Sequence, residues 1–170
     1  ALPVGYQNLR TKTRPLRFVI DYQGTDKIIK TFRLSQLSDG YRTVLALVMD
    51  YARRLAQAYP QQDEEKLNPE KILAGRGIAL IDEVDLHLHP NWQQTVLLRL
   101  LEIFPGTQFI ITTHSPQVVT TVPAQSLRKL VVNDGLLSVQ RHFSFSEGAE
   151  AQYALEGIQG VSPRAQTLPI

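Results

Sequence analysis

The stretch "GIALIDEVDLHLHP", residues 77–90, decides how the chain is read. Four consecutive apolar side chains, Ile78, Ala79, Leu80 and Ile81, leave no polar face, which predicts a strand inside a sheet covered on both sides. Asp82 and Glu83 follow at once, so two adjacent carboxylates stand at the carboxyl end of that strand. Acids in this position can hold a metal, act as a base, or simply cap the next helix.

Downstream, "NWQQTVLLRLLEIF" (91–104) predicts a helix opened by Pro90 and stopped by Pro105 and Gly106. A second buried strand is expected in "TQFIITTHS" (107–115). Ser115 then reads as an N-cap and Pro116 as the first residue of a short helix reaching about Val119. The alternation of strands and helices predicts an α/β fold, a parallel sheet layered with helices. Ligands of such sheets sit at the carboxyl ends of the strands, where Asp82, Glu83 and His114 fall.

Upstream, "LRFVIDYQGTDKIIKTFRL" (16–34) places two β-rich runs around a turn and predicts an antiparallel hairpin. From Asp39 to Tyr59 the apolar positions Val44, Leu45, Val48, Tyr51, Leu55 and Ala58 form the stripe of an amphipathic helix, with Ser38 as N-cap. Residues 60–71, polar and bracketed by prolines, predict an exposed, mobile connection. "LRKLVVNDGLLSVQRH" (127–142) carries Asp-Gly between alternating runs, a hairpin signal. Residues 147–158 are helix-like, 161–170 show no pattern, and there is no internal repeat.

A chain of 170 residues suits a single domain burying about two-thirds of its unfolded surface. With 43% hydrophobic and 20% charged residues it is globular rather than disordered. The longest apolar stretch, "VLALVM" (44–49), is far short of the roughly 20 residues a bilayer requires. With no secretory signal and no cysteine, a cytoplasmic setting fits best. A formal charge of +2 is too mild to demand a nucleic-acid partner. The sole methionine is Met49, inside the predicted helix, which suggests a processed chain or a fragment.

Asp-Glu after an apolar strand is the arrangement a phosphate-transferring ATPase needs, in which Asp82 would take Mg²⁺ and Glu83 would aim the attacking water, although acids after strands are also common at plain helix starts. His114 could face the same pocket and bond a terminal phosphate or the water; the plain alternative is a surface-loop histidine. In "LSDGYRT" (37–43), Ser38 and backbone N–H groups near Gly40 suit an anion at a helix start, with Asp39 working against it. An ordinary Ser-capped helix would look the same.

Taken in order and spacing, these stretches resemble the carboxyl-terminal half of an ABC-type ATPase head. The resemblance is to the RecF, SMC and OLD-like branch, and closest to AAA family ATP-binding proteins of bacterial anti-phage systems such as Septu and retrons. "LSDGY" is similar to the signature motif, "IALIDE" to the Walker B strand, "VDLHLHP" to the D-loop region and "TTHS" to the switch-histidine segment. The resemblance covers residues 35 to about 120; a hairpin and helix over 121–170 complete the expected single domain of residues 1–170, more loosely similar to an end segment of those ATPases. It implies a P-loop NTPase fold, ATP and Mg²⁺ as cofactors, and closure as a dimer or higher oligomer of heads. Asp82 would hold the metal, and Glu83 and His114 would be catalytic. Asp85 would lie against the nucleotide, and Ser38 and Gly40 would complete the partner's site. A nuclease or other effector, and DNA, are compatible further partners, with no role for a membrane.

The chain departs from the family in one respect. No glycine begins G-x-x-x-x-G-K-[ST], the loop whose backbone and lysine hold the phosphates. The amino-terminal Walker A lobe is expected to be missing, and the isolated chain to be nearly inert. Two rival readings stand beside the ATPase. One is a metallohydrolase using Asp82, Asp85, His87, His89 and His114; the other is a noncatalytic module that pairs with a complete ATPase or serves as a scaffold.

Overall fold

The computed structural model describes residues 6–25, 27–60, 68–141 and 143–162. Contacts group the chain into two compact units: residues 1–77 with 103–107, and residues 78–102 with 108–170.

The first unit opens with an antiparallel sheet of β1 (Tyr6–Thr13), β2 (Leu16–Gln23) and β3 (Ile29–Arg33), in that order. The expected hairpin is β2–β3. The preceding strand β1 was not legible, because "YQNLRTKT" has hardly an apolar side chain to alternate. Its register with β2 shifts between Gln7 and Arg10, where Asn8 has a φ of 53°. Asp21, buried on β2, accepts from Arg10 Nη1 at 2.6 Å and from Thr31 Oγ1 at 2.7 Å, tying all three strands together. The Arg10 guanidinium first, then Thr31, holds the Asp21 carboxyl at about 2, against the opposing effect of burial.

Helix α1 (Asp39–Ala58) buries Leu45 with Ile20 and Leu37, and Tyr6, Leu9, Phe32, Leu34 and Tyr41 pack around them. Ser38 occupies its N-cap position with extended backbone, but its side chain makes no capping hydrogen bond. Further along α1, Tyr51 meets Phe104 edge-on, with ring centroids 4.9 Å apart. Phe104 is fully buried, which for an aromatic of its size contributes about 1.5–3 kcal/mol. Of the supposed connection 60–71, residues 61–67 lie outside the described residues. Its end is not a loop: α2 (Pro69–Leu73) is capped by Asn68, whose Oδ1 accepts from the Lys71 N–H at 3.1 Å.

The second unit holds most of β4 (Gly77–Ile81) and β5 (Thr107–Ile111), which pair as a two-stranded sheet. Just beyond their ends the Thr112 N–H donates to the Ile81 carbonyl at 3.0 Å, and the Thr112 carbonyl accepts from Val84 at 3.2 Å. Thr112 thus bonds residues on both sides of Asp82-Glu83, as in a parallel ladder with one extra residue on the acid side, and the helices between the strands provide the crossover. The sheet is parallel, with helices in its crossover, an α/β arrangement.

Two expectations need correction. The helix over 91–104 is two helices, α3 (Pro90–Gln93) and α4 (Val96–Ile103). At the break the Thr95 hydroxyl bonds the Trp92 carbonyl at 3.3 Å and the Asn91 carbonyl at 3.4 Å, competing with the backbone ladder. The continuously apolar β4 is not covered on both sides: Ile78 is 63% and Leu80 77% exposed, and Ile110 on β5 is 52% exposed.

Helix α5 (Pro116–Val119) begins as expected, the Ser115 hydroxyl accepting from the Gln117 and Val118 N–H groups. Strands β6 (Lys129–Asn133) and β7 (Leu136–Gln140) form the predicted hairpin. Asp134 and Gly135, at φ of 50° and 78°, supply its turn, the left-handed pair that a two-residue hairpin loop of this kind requires. The helix-like tail is α6 (Ala151–Tyr153), continued as a π-helical turn over Ala154–Gln159. It packs Ala154 and Ile158 against Val119, with Leu127 and Phe143 alongside.

Candidate functional site

The carboxyl ends of β4 and β5 feed two loops, 82–89 and 112–115, which hydrogen bonds join side by side. Thr112 donates its hydroxyl proton to Asp82 Oδ1, and Thr112 Oγ1 in turn accepts the Glu83 N–H at 2.8 Å. Thr113 repeats the pattern one residue on: its hydroxyl donates to Asp85 Oδ1 and accepts the Ser115 N–H at 3.0 Å. The far side is closed by Gln93, whose Oε1 accepts from the Ser115 hydroxyl at 2.7 Å and whose Nε2 donates to the Leu88 carbonyl at 3.0 Å. Val84 and Leu88, both buried, anchor the acid loop from below.

This arrangement leaves the Glu83 side chain exposed on a backbone with φ of 48°, left-handed geometry that is unfavourable for any residue with a Cβ. Asp82 is exposed too, with one carboxylate oxygen engaged by Thr112 and the other free of any hydrogen bond among the described residues. Asp85 is half-buried and turned to Thr113. The exposed His114 directly follows the two threonines, between Thr113 and Ser115, and its carbonyl accepts from Gln159 Nε2 at 3.0 Å. The second unit therefore brings Asp82, Glu83, Asp85 and the His114 loop together. Ser38 and Gly40 belong to the first unit, where Ser38 is exposed and Gly40 buried at the start of α1. Asp39, which would repel an anion there, is paired with Arg42.

The other histidines of the loop have local duties. His89 caps α3, its Nδ1 accepting from the Asn91 N–H at 3.4 Å, and His87 sits at a φ of 62°. Among the described residues no three His, Cys, Asp or Glu side chains converge as a metal-binding group, so the ligand set proposed for a metallohydrolase is not assembled. Mg²⁺ needs less from a protein: it is commonly held by one or two carboxylates, with water and nucleotide phosphate completing its shell. A single oriented Asp82 carboxylate fits that demand. Sequence reasoning missed Thr112, Thr113, Gln93 and Gln159; the paired hydroxyls before His114 were the only signal for the first two.

The second unit is thus an α/β arrangement in which acids leave one strand of a two-stranded parallel sheet and a histidine loop leaves its neighbour. The chain belongs to the AAA family described as "AAA domain, putative AbiEii toxin, Type IV TA system", which matches residues 11–120. It is 44% identical over 123 residues to "Retron Ec83 probable ATPase" of Escherichia coli, covering 72% of this chain and 20% of that protein. It is 48% identical over 106 residues to "Retron Vc95 probable ATPase" of Vibrio cholerae serotype O1 biovar El Tor, covering 62% of this chain and 18% of that protein. The chain thus spans about a fifth of the length of these curated relatives. A solved structure described under "Structural biochemistry of ATP-driven dimerization and DNA stimulated activation of SMC ATPases" superposes with a TM-score of 0.54 at 17% identity, over 96% of this chain and 85% of that one. At that identity the likeness is one of fold alone. Among the described residues no helix is long and apolar enough to cross a membrane.

Proposed function

We propose that residues 1–170 form the carboxyl-terminal part of one ATPase head, which hydrolyses ATP with Mg²⁺ when joined to a phosphate-binding lobe encoded elsewhere in a longer protein. The observation that carries this reading is the acid pair Asp82-Glu83 at the end of β4, locked by hydrogen bonds to the loop that bears His114. Bound there, Mg²⁺ would neutralise charge developing on the transferred phosphoryl group. Asp82 would hold that ion directly or through its water. Glu83, exposed beside it, would accept a proton from the attacking water, and His114 would donate to the terminal phosphate.

In this reading Ser38 and the N–H groups at Gly40 meet the nucleotide of a second head, so that ATP is shared between two copies. Asp85 lies along that same seam. The exposed apolar face of Ile78, Leu80 and Ile110 is the surface the missing lobe covers, since parallel strands are stable when both faces are packed. The retron names of the two relatives support a role in a defence system of the retron or Septu kind; the proposal adds a cytoplasmic setting, with a nuclease, another effector or DNA as the element the ATPase acts on. A noncatalytic scaffold would show the same fold and lack turnover.

The test uses the complete protein. Glu83→Gln keeps size and polarity but cannot take a proton, so turnover falls by about 10² to 10⁴-fold while ATP binding persists. Hydrolysis at the normal rate would remove Glu83 from the chemistry, and retained binding with no turnover in the wild type would favour the scaffold. The isolated 170-residue chain is expected to bind ATP·Mg weakly; low-micromolar affinity by calorimetry would contradict the split of the site.

A further inference from the structure

We propose that Thr112 is a positioning residue of the acid loop, a single hydroxyl that sets the Asp82 carboxylate and the Glu83 backbone together. The inference rests on the ATPase reading above and adds a residue on which that reading does not depend. A threonine hydroxyl has one proton to give and lone pairs to accept with. Thr112 gives its proton to Asp82 Oδ1 and accepts from the Glu83 N–H at 2.8 Å, so the two bonds do not compete. Its backbone is held as well, by Ile81 at 3.0 Å and Val84 at 3.2 Å. Thr112 therefore touches four consecutive residues, Ile81 to Val84, across the sheet.

The two side-chain bonds do different things. The bond to Asp82 fixes the rotation of the carboxylate and leaves Oδ2 for a cation. The bond from the Glu83 N–H supports a left-handed residue that its own torsions disfavour, and so fixes the direction in which the Glu83 carboxylate leaves the chain. The neighbouring pair, Thr113 with Asp85, ties the next turn of the same loop, so His114 is carried between two anchored residues. Hydroxyl partners of this kind tune metal affinity without touching the metal.

The experiment compares Thr112→Val, which keeps shape and loses the hydroxyl, with Thr112→Ser, which keeps the hydroxyl, in the complete ATPase. For Thr112→Val, turnover and Mn²⁺ affinity measured by electron paramagnetic resonance with ATP present are each expected to fall about 10 to 100-fold, with KM for ATP within about twofold of wild type. Thr112→Ser recovers most of both. Independently of turnover, amide exchange at Glu83 speeds up in the valine variant and not in the serine variant. Wild-type turnover, Mn²⁺ affinity and Glu83 protection in Thr112→Val would overturn the inference. Equal losses in both variants would overturn it too, because bulk rather than the hydroxyl would then matter. Failure of the ATPase reading is separable: it shows as ATP binding without turnover in the wild type, and the Glu83 amide still reports whether Thr112 holds the loop.

Discussion

The hydroxyls of Tyr51 and Thr107 lie 3.0 Å apart across 56 residues of sequence, and a Cβ placed on Gly77 would fall 2.4 Å from the tyrosine oxygen. Three segments of the first unit, α1 and the first residues of β4 and β5, thus meet at one hydrogen bond that tolerates no side chain at position 77. Removing the tyrosine oxygen would leave its ring carbon as the nearest tyrosine atom, at an ordinary 3.5 Å. Tyr51→Phe should cost about 1 kcal/mol for the lost bond. Gly77→Ala should cost about 1–3 kcal/mol for overpacking. The double variant should cost less than the sum, since the phenylalanine makes room for the methyl. Urea unfolding of the four proteins measures the coupling; strict additivity would mean the contact is not felt.

Gln159 reaches back 45 residues to the His114 carbonyl, so the carboxyl-terminal turn holds the histidine loop directly. Gln159→Ala is expected to lose about 1 kcal/mol of local stability. The change should appear as faster amide exchange over 113–116 and as turnover lowered by a few-fold in the complete protein. An unchanged exchange pattern would show that Val119, Ala154 and Ile158 suffice to dock the tail.

Asp21 provides a pH signature for the first unit. Its folded value of about 2 lies below the unfolded carboxylate value, so it contributes stability in full above about pH 4 and loses that contribution as pH falls toward 2. Asp21→Asn should lower stability at neutral pH and flatten the loss between pH 4 and 2. Thermal melts of both proteins across that range provide the check, and identical slopes would contradict the assignment of the bond to Arg10.

Ser38→Arg addresses the shared-nucleotide proposal. An unpaired charge buried on head-to-head closure costs about 3–5 kcal/mol, a hundredfold or more in dimer affinity. In the complete protein ATP binding should survive while ATP-dependent dimerisation, followed by sedimentation, is lost. Normal dimers and normal turnover would reduce "LSDGY" to a helix start.

Much of the architecture was readable because its signals are local. Asp134-Gly135 dictates a hairpin turn, Ser115-Pro116 starts a helix, and the period of Val44 to Leu55 writes out α1. What escaped depends on partners distant in sequence. Strand β1 is polar and is made a strand by pairing with β2. Thr95 breaks a helix by turning its hydroxyl onto its own backbone, a choice that composition does not reveal. The exposed side of β4 could not be foreseen, because an apolar run reports what a strand needs and not whether the cover lies in the same chain. In the site, Asp82, Glu83 and His114 stood out by residue type and position, whereas Thr112 and Thr113 matter through bonds spanning about thirty residues.

The left-handed backbone of Glu83 sets a conflict between durability and chemistry at one position. Glycine would adopt that φ without the roughly 1–2 kcal/mol that a side chain incurs. Selection for thermal robustness alone would therefore drift position 83 toward glycine, and a library screened only for folding should enrich Glu83→Gly. Keeping a carboxylate there despite its backbone is what a screen for turnover would demand, so the two selections should pull this residue in opposite directions.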